Sequence, residues 1–88
     1  MNIEDIEKFL EKSPDLSGYV KVSFKQREAI YGQFVKDKDH THLKAKNFWR
    51  IVTKRNLNDY LQSKDLSLTR IFNGAAFSRL TRYEEVVD

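Results

Sequence analysis

The stretch SLTRIFNGAAFSRL, residues 67–80, indicates the fold of this chain most clearly. Two segments that mix apolar residues with arginine flank Asn73 and Gly74, and both of these residue types tolerate the positive φ that tight hairpin turns require. We therefore expect a hairpin around this turn, in which Phe72 pairs with Ala75. The hairpin either only completes a small core or also presents its arginines to a partner, because an arginine stem can lie over a sheet face with its charge in water.

Three more strands are predicted upstream of this hairpin. Residues 19–25, YVKVSFK, alternate apolar and polar side chains, which is the pattern of a strand with one buried face. Residues 29–36 continue as a second strand, and residues 47–53, NFWRIVT, are predicted as the third. Gly32 lies inside the second strand, where a glycine marks a sharp bend or a close approach of two backbones. With the hairpin, the chain is expected to contain five short strands.

Two helices accompany the predicted strands. Residues 2–12 place apolar side chains on one face and begin with Asn2, a residue type that caps helix N-termini. Leucine and tyrosine at helical spacing predict a second, short helix at residues 56–64, between the third and fourth strands. The polar segment 37–46, DKDHTHLKAK, is expected to be a loop.

These elements predict one domain, residues 1–88, of the α+β class with mainly β structure. We expect the N-terminal helix (2–12) to cap a five-stranded antiparallel small barrel of the SH3-like kind (19–82). An acidic tail (83–88) follows the barrel.

The composition favours a soluble binding protein. The chain has 88 residues and no cysteine, so it offers neither a thiolate nucleophile nor a cysteine-ligated zinc site. Its acidic, amphipathic start differs from a secretory signal, and no apolar stretch approaches the roughly 20 residues of a membrane span. The sequence contains no catalytic motif, and residues 37–42 supply two aspartates and two histidines without further converging ligands. We expect a cytoplasmic, non-enzymatic protein without a metal or cofactor and without membrane contact.

Positive charge is concentrated in the middle of the chain. The net charge is +3, but residues 19–82 hold 14 Lys and Arg against 5 Asp and Glu, a balance of +9. Residues 1–18 and 83–88 each have a balance of −3. A basic middle attracts polyanions such as nucleic acid. The alternative is that the acidic helix and tail lie across the basic body and neutralise it.

The order of elements and several residues resemble the Sm and Sm-like proteins. In that family a first motif alternates as V-x-V-x-L, turns, and continues as I-x-G on a bent second strand. An asparagine precedes the third strand, and a second motif ends its turn with glycine. The matching residues here are Val20, Val22, Phe24, Ile30, Gly32, Asn47 and Gly74. The chain also resembles small bacterial proteins that have no assigned activity.

The resemblance implies a ring-forming homo-oligomer that binds single-stranded RNA, with bases against Asn47 and the turn at Asn73 and phosphates on Lys and Arg side chains. Together with the basic middle, it leads to a predicted nucleic-acid interface in which the asparagines read base edges and the cations neutralise phosphate. Its residues are Lys21, Lys25, Arg27, Lys44, Lys46, Asn47, Arg50, Asn73 and Arg79. The alternative function is a protein-interaction module that acts through an unpaired sheet edge.

Overall fold

The computed structural model describes residues 1–12 and 19–83, with only the backbone of Tyr83, so residues 84–88 of the predicted acidic tail lie outside the described part of the chain. Two single-turn 3₁₀ segments, Leu66–Leu68 and Gly74–Ala76, precede and follow the fourth strand. The helices and strands are α1 Ile3–Glu11, β1 Tyr19–Phe24, β2 Ile30–Phe34, α2 His40–Ala45, β3 Phe48–Thr53, α3 Lys54–Ser63, β4 Thr69–Asn73 and β5 Phe77–Tyr83.

The five strands form one antiparallel sheet in the order β4-β3-β2-β1-β5. This confirms the predicted mainly β member of the α+β class, with a helix before the sheet and another between the third and fourth strands. The sheet is not closed as a barrel, since β4 and β5 are its two edges.

The predicted hairpin pairing between Phe72 and Ala75 is wrong. Phe72 pairs instead with Trp49 of β3, and Phe77 pairs with Phe24 of β1. The 3₁₀ turn that begins at Gly74 leads from β4 at one edge of the sheet to β5 at the other, so that β4 pairs with β3 and β5 pairs with β1. The residues Asn73 and Gly74 therefore correctly indicated a turn, but not which strands pair on either side of it.

The sheet is strongly curled. In a flat sheet β4 and β1 would lie about 14 Å apart, because three strand spacings separate them. The rings of Phe24 on β1 and Phe72 on β4 nevertheless have centroids 5.7 Å apart, and Phe24 also meets Phe77 at 5.4 Å. The backbone N–H of Lys25 donates to the carbonyl of Ala76 at 3.0 Å. Aromatic side chains thus fill the side where a barrel would close, and we call this side the seam.

The core lies on the concave face of the sheet and is covered by α1. Ile6 of α1 is fully buried against it, together with Val22, Trp49 and Phe77. The helix begins as predicted, since the side-chain oxygen of Asn2 accepts a hydrogen bond from the backbone N–H of Asp5 at 2.9 Å. Burial of these apolar side chains supplies the main driving force for folding.

The glycine inside β2 permits a close approach of two strands, as the sequence predicts. A Cβ atom at Gly32 would lie 2.1 Å from the carbonyl oxygen of Val52 and 3.0 Å from the Cα of Thr53. Any side chain at this position would therefore push β2 away from β3.

The segment predicted as a loop, residues 37–46, contains α2. The six residues of α2 include only one large apolar side chain, Leu43, and tertiary contacts hold the helix. The carboxylate of Asp39, at the helix start, binds Arg50 of β3, and the ring of His40 packs edge-on against Trp49 with centroids 6.0 Å apart. Within the described ranges, no helix is long and apolar enough to cross a membrane.

Candidate functional site

The predicted interface residues do not form one surface. Two of them are paired with acidic side chains inside the fold. Lys44 of α2 forms a salt bridge with Glu7 of α1, so the acidic helix does neutralise this part of the basic middle. This contact supports, for Lys44, the alternative that the acidic segment covers the basic body.

Arg50 is held by the fold even more tightly. Its guanidinium donates to a carboxylate oxygen of Asp39 at 2.7 Å and to the hydroxyl of Thr69 at 2.8 Å. Its side chain is 13% exposed, against 42% for Asp39. The buried Nε of Arg50 and the second carboxylate oxygen of Asp39 have no partner. Arg50 therefore links α2, β3 and β4, and its donors are turned inward.

Both predicted base-reading asparagines make hydrogen bonds within the chain. The side-chain oxygen of Asn47 accepts from the indole N–H of Trp49 at 2.8 Å, and its amide nitrogen donates to the carbonyl of Met1 at 3.1 Å. The side-chain oxygen of Asn73 accepts from the backbone N–H of Ala75 at 2.9 Å. Both the oxygen and the nitrogen of the Asn47 side-chain amide thus form hydrogen bonds within the chain, so the role of this residue is structural.

Three further predicted residues are scattered. Lys21 pairs across the sheet with Tyr31 and Thr81, and Arg79 pairs with Ser23, so both lie on the convex face, away from the core. Lys46 is exposed just after α2. None of these three cations lines either of two cavities that lie at the seam.

The last two predicted residues, Lys25 and Arg27, lie at the seam. They line a cavity of about 300 Å³ whose walls also include Phe24 and Ala76. We call it the Phe24 cavity. The guanidinium carbon of Arg27 lies 4.9 Å from the centroid of the Phe24 ring and 5.8 Å from that of Phe72. Such cation–π contacts hold an arginine in place while leaving its N–H groups available.

Arg27 also lines a second cavity, of about 330 Å³, which two more arginines share. We call it the arginine groove and define it by Arg27, Arg55 and Arg70. Its complete lining is Arg27, Ile30, Thr53, Arg55, Asn56, Arg70 and Phe72.

Three different elements bring these arginines together. Arg70 pairs with Ile51 in the β3–β4 ladder, and ladder partners project to the same face, so Arg70 lies on the core side of the edge strand. Arg55 belongs to the first turn of α3, which starts where β3 ends. Arg27 comes from the connection between β1 and β2. The groove therefore exists only in the folded chain.

The arginine groove carries three positive charges, and none of the described residues that line it is acidic. Within residues 1–12 and 19–83, neither Arg55 nor Arg70 takes part in a salt bridge. Three cations around one cavity attract an anion, and guanidinium groups bind phosphate or carboxylate in forked pairs of hydrogen bonds. Strand alternation could have joined Arg70 to Phe72, but nothing in the sequence places Arg55 beside them.

A smaller cavity, of about 110 Å³, lies between α1 and α2 and is lined in part by Leu10, Trp49 and His40. Burial lowers the pKa of His40 below its usual value, and the charges of Lys36 and Lys44 lower it further. The cavity is small for an organic ligand. In the part of the chain that the structure describes, no three His, Asp or Glu side chains converge as a metal site would require.

The two cavities at the seam thus combine cationic and aromatic walls. Arginine forks can hold an anionic group, and the Phe24 ring and the Arg27 guanidinium offer flat surfaces to a planar group. Comparisons of this chain with protein-family models, with curated proteins and with solved structures find no significant match.

Proposed function

We propose that this protein is a non-enzymatic binding module that takes single-stranded nucleic acid at the seam of its sheet. The observation that carries the proposal is the arginine groove, in which three guanidinium groups line one cavity and none of the described lining residues is acidic. Phosphate oxygens are the natural partners of such groups. Aromatic rings beside cations are also the usual surface on which unpaired bases stack.

The shape of the site favours a single strand over a duplex. The seam offers two pockets of about 300 and 330 Å³, not a flat or convex surface that could follow a helical backbone. A base can enter a pocket beside Phe24 only when it is unpaired. The resemblance of residues 20–32 to the first Sm-like motif adds support for RNA as the strand.

The acidic helix α1 leaves this site open. The α1 helix neutralises Lys44 through Glu7, but none of its residues is among those that line the Phe24 cavity or the arginine groove. The proposal therefore replaces most of the nine predicted residues. It retains Lys25 and Arg27 and adds Arg55 and Arg70.

The test is a titration of labelled single-stranded RNA by fluorescence anisotropy at several salt concentrations. We expect binding at low salt, with a slope of about −0.7 per phosphate contact in a plot of log K against log salt concentration. The variant Arg55→Gln/Arg70→Gln should bind at least about tenfold more weakly and lose about 1.4 from the magnitude of that slope.

The matched control is Lys46→Gln/Arg79→Gln, which removes two exposed charges that line neither the Phe24 cavity nor the arginine groove. This variant has the same net charge as the groove variant, so it should bind within about twofold of the parent protein. Absence of binding at low salt, binding without a salt slope, or equal losses in both variants would reject the seam as the site.

A second candidate function is protein interaction at a sheet edge. Among the described residues, both β4 and β5 have a ladder partner on one side only, and Ile71 on β4 is 48% exposed. An unpaired edge next to an exposed apolar side chain favours strand addition or self-association. Light scattering distinguishes the cases: a hexamer or heptamer supports an Sm-like ring, whereas a monomer or dimer leaves the edge for another protein.

A further inference from the structure

The two cavities at the seam are neighbours, because Arg27 lines both. One is walled by Phe24 and Ala76, and the other holds the remaining two guanidinium groups. Each volume lies at the lower end of the range for small-molecule pockets. The pair therefore has room for a ligand that is planar at one end and anionic at the other, and not for a long stretch of polymer.

A nucleotide has this division, with its base as the planar part and its phosphate as the anionic part. Arg27 can contact both, since its guanidinium carbon already lies 4.9 and 5.8 Å from the centroids of two aromatic rings and its N–H groups are donors. A base in the Phe24 cavity would place the attached phosphate toward Arg55 and Arg70.

The number of cations in the arginine groove distinguishes between kinds of phosphate. A phosphodiester inside a strand carries one negative charge, whereas a phosphate monoester carries about −1.5 to −2 at neutral pH and has three acceptor oxygens. Three guanidinium groups match the charge and oxygen count of the monoester better. The start of α3 adds to this preference, because Thr53 lines the groove as the N-cap residue and its side chain makes no capping hydrogen bond.

From these contacts we infer that the seam recognises a terminal nucleotide: the arginine groove binds a phosphate monoester and the Phe24 cavity binds its base. This inference rests on the proposed function and specifies the part of the nucleic acid that is bound. The same chemistry occurs at the end of a strand and in a free nucleoside monophosphate, and the experiment below separates these sources.

The experiment compares four ligands on the full chain. They are one short oligoribonucleotide with a 5′-phosphate, the same oligonucleotide with a 3′-phosphate, the same oligonucleotide with hydroxyl groups at both ends, and the free nucleoside monophosphate. We expect one phosphorylated oligonucleotide to bind at least about tenfold more tightly than the hydroxyl-ended one, because of the extra charge-assisted hydrogen bonds. Arg55→Gln/Arg70→Gln should abolish this preference, while Lys46→Gln/Arg79→Gln should keep it.

Each outcome has a separate meaning. Equal affinity for all three oligonucleotides overturns the terminal-phosphate inference and leaves nucleic-acid binding intact. Absence of binding to every ligand overturns both. If the free monophosphate binds as tightly as the better oligonucleotide, the phosphate site is supported and the strand is rejected as its source. Circular dichroism of both double variants should match that of the parent protein, since all four substituted side chains are exposed.

Discussion

The indole N–H of Trp49 donates a hydrogen bond to the side-chain oxygen of Asn47, with 2.8 Å between Nε1 and Oδ1. Trp49 is 1% exposed, so water cannot replace this acceptor. The backbone carbonyl of Asn47 accepts from the N–H of Gly74 at 2.8 Å, and its side-chain amide reaches Met1. Asn47 thus joins β3, the start of the chain and the turn after β4.

The first prediction concerns this asparagine. Asn47→Ala should lower the free energy of unfolding by about 2–3 kcal/mol, because it leaves a buried indole donor unpaired and places alanine at a φ of 62°. Asn47→Gly should be about 1 kcal/mol less harmful, since glycine adopts this φ without strain. Urea denaturation measures both values. Asn73→Ala is the control and should cost about 1 kcal/mol or less; equal effects at residues 47 and 73 would contradict the structural role of Asn47.

The second prediction concerns the contact between β2 and β3. Gly32→Ala should destabilise the protein by about 3 kcal/mol or prevent folding, because the new methyl group would overlap the carbonyl oxygen of Val52 in a paired strand. Thermal unfolding followed by circular dichroism measures the loss. Ser78→Ala on exposed β5 is the control and should change stability by less than about 0.5 kcal/mol. A Gly32→Ala protein as stable as this control would disprove the close approach.

The third prediction compares the two salt bridges. Arg50→Met should cost about 2 kcal/mol, because it removes donors to Asp39 and Thr69 at a largely buried position. Lys44→Met should cost less than about 1 kcal/mol, because its partner Glu7 and Lys44 itself are both about one-third exposed. Urea denaturation of both variants gives the comparison. Similar losses of unfolding free energy would show that burial does not make one salt bridge more stabilising than the other. A large fall in RNA affinity for Lys44→Met would instead place the binding site near α2.

The fourth prediction is a pH dependence of stability. The pKa of His40 is lowered below 6.5 in the folded state by burial and by Lys36 and Lys44, against the opposing charges of Asp39 and Glu7. Above pH 6.5 the ring is neutral in both states and this contribution is fully present. As the pH falls below 6.5, the unfolded chain takes up the proton first, so the free energy of unfolding decreases through the window between 6.5 and the folded pKa.

The measurement is urea denaturation at about pH 7.5 and about pH 5.5, one on each side of the ordinary histidine pKa of 6.5. His40→Gln should lose less stability on acidification than the parent protein. His42→Gln changes an exposed ring on the same helix and should behave like the parent. If both variants respond to pH as the parent does, groups other than His40 cause the dependence.

The sequence predicted the positions of the strands better than it predicted which strands pair with each other. Residues 19–25 alternate strongly enough to identify β1, the apolar segment 47–53 was correctly predicted as β3, and the glycine of β2 correctly indicated a close approach. The predicted hairpin was wrong because the residue types at Asn73 and Gly74 indicate only the local backbone conformation. Which strands pair depends on which apolar faces are buried together. Segment 37–46 failed because α2 is held by contacts with Arg50 and Trp49, which no local pattern shows.

The candidate site was only partly predictable for a similar reason. Charge counting found an excess of cations but not which of them are already paired, as Lys44 and Arg50 are. Arg27 was identified, but Arg55 joins it only through the direction in which α3 leaves β3. The sequence also does not show whether an asparagine bonds to a ligand or to its own chain. The side chain of Asn47 makes its hydrogen bonds with Trp49 and Met1.

The pairing of β1 with β5 also has a consequence for synthesis on the ribosome. Tyr19 at the start of β1 lies opposite Tyr83 at the end of β5. At about 5–20 residues per second, β1 therefore waits several seconds after its own translation for the strand that completes it. During this interval its unsatisfied backbone edge is exposed to other nascent chains, and the helix that precedes it has only a partial core on which to dock.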